Sequence, residues 1–193
     1  MDYRAIIICW LCCSLSCCSV VETDPCTQPP WKSQVSLLKQ STHWVAQGSA
    51  ALSSNHTHHL GRFTWTQRDK DFTIDISGPL YVPVATIEGK ASQTIVRPAD
   101  TKHPVALSQW MQQNIGYPLQ SDALRAMLLG QPKTSMLSWR HHYPYQATYP
   151  HYQVTWKQYH CFPIGYRPQK IVIQLDPDHT LTLFIHDWYE NDA

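Results

Sequence analysis

The chain has 193 residues, 15% of them charged, with a formal net charge of +1 and no basic run. Nucleic-acid binders depend on clustered Lys and Arg and are excluded on that ground. One domain with a real core fits the length, and eight Trp, ten Tyr and 14 Pro against seven Gly predict a β-rich fold with a large apolar interior.

At the N-terminus, Arg4 precedes an apolar run from Ala5 to Cys13, followed by Ser14-Leu15-Ser16-Cys17-Cys18-Ser19. A basic residue, an apolar core of about ten residues and a small-residue exit make a secretory signal. The core is too short to cross a bilayer as a mature helix. Cys9, Cys12, Cys13, Cys17 and Cys18 crowd this segment, which is no scattered disulfide framework. An apolar run also leaves no room for a tetrahedral metal cage. Leu15-Ser16-Cys17-Cys18 resembles a bacterial lipobox, cut before its cysteine and acylated on it. That resemblance implies a lipoprotein signal peptide over residues 1–17 and a mature N-terminus at Cys18, the lipid anchor, bearing palmitate-type acyl chains. Cys17 stands where Gly, Ala or Ser is usual; acylation at Cys17 is the alternative, with Ser14 in the place of Leu. Ser19, where Asp would retain a lipoprotein in the inner membrane, implies the outer membrane of a Gram-negative cell, lipid-anchored on the periplasmic face. Two or more chains anchor stably where one does not.

Residues 18–30 contain three prolines and no periodicity and read as the acylated N-terminus and a leash, leaving 31–193 as the folded domain. Trp31, Val35, Leu38 and Val45 fall at helical spacing and predict an amphipathic helix ending at Gly48. Strands are predicted from Ser49 onward: Ala50 and Leu52 alternate with small polar residues, and Phe63 and Trp65 with Arg62, Thr64 and Thr66. The intervening Asn55-His56-Thr57-His58-His59 holds a glycosylation sequon and three histidines, and a polar turn is the simpler reading.

Asp71 to Gly89 is the most organised stretch. Phe72, Ile74 and Ile76 alternate with polar residues, and Ala85 and Ile87 resume the pattern on the way back. Between them, Gly78-Pro79-Leu80-Tyr81-Val82-Pro83 has the punctuation of a turn but carries three apolar residues at its tip. Its prolines keep it out of the sheet. Two readings stand: Leu80 tucks into the core, or Leu80, Tyr81 and Val82 form a rigid apolar finger for a partner or a bilayer.

Thr94-Ile95-Val96 continues the sheet. Leu107, Trp110 and Met111 predict a helix that stops at Gly116. Ser121 can cap a second helix, whose Leu124, Met127 and Leu128 share a face before Gly130. The tight link Tyr117-Pro118-Leu119 makes the pair a bent lid. Arg125, a single charge on an apolar face, reads as a structural tie to strand carbonyls or a carboxylate. Tyr152, Val154 and Trp156 resume the strands. Ile171, Ile173 and Leu175 lead through Asp176-Pro177-Asp178-His179, with Pro at the second position of a type I turn, into Leu181, Leu183 and Ile185. The predicted architecture is mainly β with α, a strongly curved antiparallel sheet wrapped over helices.

His141-His142, His160-Cys161 and His186-Asp187 supply the materials of a nucleophile and base. Neighbours on a strand point to opposite faces, so His160 cannot readily serve Cys161. No phosphate loop, nucleophile elbow or metal spacing is present. The chain therefore reads as no enzyme, with no metal and no cofactor beyond its acyl chains. Cys26 and Cys161 are candidates to pair in an oxidising compartment, although Cys26 lies on the leash.

These residues resemble LolB, a family of outer-membrane lipoproteins. The resemblance rests on the lipobox through Cys18-Ser19, Gly61-Arg62-Phe63 ahead of Trp65, and Gly78-Pro79-Leu80 followed by Glu88-Gly89. It also rests on Gly116-Tyr117-Pro118-Leu119 with Leu124-Arg125 and Leu128-Leu129-Gly130, and on Leu181, Leu183, Ile185 and Trp188 in the C-terminal pattern. It implies an incomplete β-barrel closed by helices around an apolar cavity for acyl chains. The implied function is that of a receptor which accepts cargo lipoproteins from the periplasmic carrier LolA and inserts them into the outer membrane, as a monomer in contact with outer-membrane lipids. Leu80 matches the family's exposed loop Leu, while Gln120 departs from a common Pro and Tyr81-Val82 extend the tip. Phe63, Trp65, Phe72, Ile74, Ile76, Ile87, Trp156, Ile173 and Leu183 are the candidates for the cavity wall. Carriage has a physical rationale, because moving one acyl chain through water costs about 12 kcal/mol at about 0.8 per methylene. The alternative is a structural or small-lipid-binding envelope lipoprotein with no transfer role.

Overall fold

The computed structural model describes residues 42–54, 57–90, 93–134 and 136–191. The signal segment, Cys17, Cys18, the leash with Cys26, residues 31–41 and Asn55-His56 lie outside the described residues. Eleven strands form one sheet: β1 (His43–Ser53), β2 (His58–Arg68), β3 (Asp71–Ser77), β4 (Pro83–Lys90), β5 (Gln93–Pro98), β6 (Val105–Ala106), β7 (Leu137–Arg140), β8 (Tyr143–Thr148), β9 (Gln153–Phe162), β10 (Gly165–Gln174) and β11 (Thr180–Glu190). Their order is β6-β5-β4-β3-β2-β1-β11-β10-β9-β8-β7, and every neighbouring pair is antiparallel.

This order explains why the barrel stays open. One meander runs outward from β1 to β6, and a second runs inward from β7 until β11 pairs with β1, Trp44 opposite Glu190 and Leu52 opposite Leu181. The two edges, β6 with two residues and β7 with four, do not pair with each other. Edges this short offer little backbone to a stray strand. The chain crosses from one edge to the other between β6 and β7, and on that crossing sit α1 (Leu107–Ile115) and α2 (Ser121–Leu128). Leu107, Trp110 and Met111 of α1 and Met127 and Leu128 of α2 join the inward residues of the sheet in one hydrophobic core. The result is mainly β: an incomplete antiparallel barrel with two helices.

Two local expectations are corrected and one hairpin is added. The helix drawn through Val45 to Gly48 is strand there, since β1 begins at His43. Trp44, Val45 and Ala46 are buried in succession, and a strand without alternating burial cannot be told from a helix by period. Its long-range partners on β2 and β11 decide the matter. Ser121 is the first residue of α2, not its cap; Gln120 holds the cap position without a side-chain bond, and the Ser121 hydroxyl faces Thr94 Oγ1 at 3.4 Å. The β7–β8 hairpin had no assignment from the sequence. His141 and His142 form its turn, both with positive φ (49° and 68°), the geometry two-residue hairpins require and one that Asn and Gly usually supply.

Candidate functional site

A cavity of about 520 Å³ lies between the sheet and the helices, within the roughly 300–1,000 Å³ range of small-ligand pockets. The alternation in β2, β3 and β4 turns Phe63, Trp65, Ile74, Ile76 and Ile87 inward, and β1 and β11 add Ala50, Leu52, Leu181 and Leu183. The helices close the other side with Trp110, Met111, Ile115, Leu124 and Leu128. Among the described residues no Asp, Glu, Lys or Arg lines it. Charges stand on the outer face: Glu88 is paired with Arg97 at 3.0 Å, whose guanidinium holds the carboxyl below its usual range, and Asp75 accepts a bond from Thr86. An uncharged hollow of this kind favours an apolar occupant over water.

Of the predicted wall residues, Phe63, Trp65, Ile74, Ile76, Ile87 and Leu183 line the cavity and Phe72, Trp156 and Ile173 do not. Phe72 lays its ring over Gly89, where any Cβ would collide with it, and packs 5.2 Å from Trp65. Trp156 and Ile173 are fully buried in the part of the core that β9 and β10 form. The wall candidates do not include Ala50, Leu52, Leu181 or the helix residues Trp110, Met111, Ile115, Leu124 and Leu128, nor Leu60 and Val84, whose positions on their strands point outward by parity.

The loop between β3 and β4 does not fold under. Leu80 is 93% exposed, Tyr81 68% and Val82 59%. Pro79–Tyr81 form a short 3-10 turn, closed by Gly78 N donating to Val82 O at 2.8 Å and Val82 N to Pro79 O at 3.3 Å. Leu80 and Tyr81 both take positive φ, 57° and 62°, a region that costs L-residues free energy. The Arg62 guanidinium braces the base, donating to the Tyr81 hydroxyl and lying 4.4 Å from the centre of its ring.

The other candidates are dispersed. Arg125 Nε is buried without a hydrogen-bond partner, so at that atom the predicted tie is not made among the described residues. His160 is exposed while the neighbouring Cys161 is half-buried. Ser49 and His186 approach to 3.2 Å and Ser53 and His58 to 3.0 Å, yet neither histidine has a carboxylate partner among the described residues. That leaves both pairs without the orienting third group of a hydrolase. Among the described residues no three His, Cys, Asp or Glu gather as a metal site, and no helix is long and apolar enough to cross a membrane.

A family model described as outer membrane lipoprotein LolB matches residues 42–188. No curated protein matches the chain. Among solved structures, a LolA superfamily protein from Nitrosomonas europaea is similar at a TM-score of 0.53 and 11% identity, over 82% of this chain and 94% of that one. A DUF1329 family protein from Desulfovibrio piger is similar at 0.57 and 9%, over 85% and 94%. A domain described as an outer membrane lipoprotein-sorting protein from Vibrio parahaemolyticus is similar at 0.56 and 10%, over 84% and 91%. At these identities the three structures speak for a shared fold.

Proposed function

Because the chain belongs to the LolB family of outer membrane lipoproteins, which assigns it a role in lipoprotein localisation, we propose that it is the receptor that takes lipoproteins from the periplasmic carrier LolA and places them in the outer membrane. Cys18, freed by removal of residues 1–17, carries the acyl chains that hold the protein on the periplasmic face, and residues 18–30 are the leash. The cavity takes the cargo's acyl chains, and Leu80 with Tyr81 and Val82 enters the bilayer to release them. The observation that carries this reading is the pairing of an uncharged cavity with an apolar loop held exposed beside it.

Transfer needs no energy source if each site binds the chains better than the last, because every methylene kept from water is worth about 0.8 kcal/mol. The test is transfer of a lipoprotein from loaded LolA to liposomes by the parent and by Leu80→Glu. The variant accepts cargo and fails to release it. Normal delivery by Leu80→Glu sinks the finger, and no acceptance by the parent sinks the receptor reading in favour of a lipid-binding or structural lipoprotein. Cys18→Ala releases the protein from the membrane fraction; persistent attachment moves the anchor to Cys17.

A further inference from the structure

Five of the eight exposed large hydrophobic side chains among the described residues lie together: Leu60, Leu80, Tyr81, Val82 and Val84. Such a cluster marks an interaction surface where scattered residues would not. Leu60 is 69% exposed and Val84 41%, and both also line the cavity, with Pro79. A side chain that is both exposed and part of the wall stands at the mouth.

Two local irregularities put them there. Strand β2 outruns β3, whose pairing ends with Ser77 opposite Arg62, so Leu60 has no β3 neighbour and sits beside the loop. In β4, Ser77 pairs with Pro83 and Ile76 with Ala85. Val84 is thus the extra residue of a bulge, a device that re-aims a side chain, and its methyl lies near Gly78. The opposite lip is different in kind: α1 offers exposed Gln113 and Asn114 there.

We propose that Leu60, Pro79 and Val84 form a bilayer-docking lip that continues the Leu80 finger, so that the cavity opens directly onto membrane lipid and acyl chains leave without crossing water. The inference rests on the membrane-delivery reading and adds the exit to it. Charge selects a phospholipid surface as the occupant. Residues 58–64 and 76–86 contain no Asp or Glu and include Arg62, His58 and His59, which suits an anionic headgroup layer; Asp75 and Asp187 share a separate groove with Arg62 and Tyr81, apart from the cavity that Leu60 and Val84 line. Arg62 and Tyr81, stacked at the base of the finger, are the pair that settles at a membrane–water boundary, apolar body inward and polar tip outward.

The test places the photocrosslinker p-benzoylphenylalanine at position 60, 80 or 114 of the full chain, bound to vesicles of phosphatidylethanolamine and phosphatidylglycerol. Lipid is captured at 60 and 80 and none at 114. Capture at 80 alone overturns the lip and leaves the finger standing. Capture at none of the three overturns both. Equal capture at 114 overturns the lip by showing undirected contact. A second arm uses Leu60→Asp with Val84→Asp, exposed positions where folding is preserved. Release to the vesicles, measured per molecule of cargo accepted from LolA, is lost while the circular-dichroism spectrum is unchanged; parental release per accepted molecule overturns the lip even if the crosslinks form.

Discussion

Trp156 donates its indole N–H to the main-chain carbonyl of Met127, 2.8 Å away. The donor lies on β9 and the acceptor in the last turn of α2, where the same carbonyl also accepts from Gly130 N at 3.1 Å. Both side chains are 1% exposed. A helix that roofs a hollow has fewer packing contacts on that side, and this bond fastens it to the solid part of the sheet.

Trp156→Phe keeps most of the apolar volume and removes this bond, leaving the Met127 carbonyl its turn bond from Gly130 N. The loss of stability is about 0.5–1.5 kcal/mol, read from denaturant unfolding. Binding of an apolar fluorescent dye to the native state rises as the roof loosens. A variant with parental stability and dye binding shows that the bond does not hold the helix.

Leu80 sits at φ 57° and ψ 25°, where an L-residue is strained by about 1–2 kcal/mol. Glycine removes that strain and gives back about 0.5–1 kcal/mol through the unfolded chain. Leu80→Gly therefore leaves stability unchanged or raises it by up to about 1.5 kcal/mol while abolishing delivery to liposomes. Retained delivery shows that the loop's shape, and not its side chain, is what matters.

Arg62 contacts Tyr81 through its guanidinium plane, a geometry that lysine does not reproduce. Arg62→Gln removes about 1 kcal/mol of attraction to an anionic surface. In the Cys18→Ala form, sedimentation with phosphatidylglycerol vesicles falls accordingly at low salt, and the difference shrinks as salt screens it. An Arg62→Gln protein that sediments like its parent removes Arg62 from the membrane contact.

At alkaline pH the tyrosines decide stability. Burial pushes the Tyr152 hydroxyl up to about 12 from 10.0, and Tyr159, which donates to Pro144 O at 2.9 Å, is pushed higher still by burial. These groups hold their protons more tightly folded than unfolded, so their contribution is complete below about pH 10 and declines as pH rises through 12. Ultraviolet titration shows the buried phenols ionising only as the protein unfolds. Ionisation of every tyrosine near pH 10 in the folded state excludes this account.

Arg167 is 4% exposed; among the described residues its Nε has no hydrogen-bond partner, and Nη1 donates to the neighbouring Tyr166 carbonyl at 3.1 Å. Among the described residues no carboxylate pairs with it, and burial lowers its pKa to about 10. The charged form is therefore penalised at neutral pH, and the penalty lifts only as pH rises through about 10. Arg167→Met raises the unfolding free energy at neutral pH by about 1–4 kcal/mol. A loss of stability instead shows that the guanidinium stem is part of the packing.

The sequence by itself determined what is local. Period-two runs such as Phe72-Thr73-Ile74-Asp75-Ile76 fix a strand and its inward face, because alternation follows from backbone geometry alone. Asp176-Pro177-Asp178-His179 fixes a turn through its own atoms, Asp176 Oδ1 accepting from the amides of Asp178 and His179 at 2.8 Å each. Glycine and proline around Leu80 fixed a loop too stiff and too greasy to be ordinary. Only the tertiary structure decided what depends on residues far apart in the chain. Trp44 belongs to a strand because β2 and β11 flank it, and Trp156 and Ile173 meet core, not hollow, because α2 packs against that part of the sheet, with Trp156 bonded to the Met127 carbonyl. Leu60 and Val84 reach the mouth because one strand outlasts its neighbour and another carries a bulge, offsets between pairing partners that no single segment encodes.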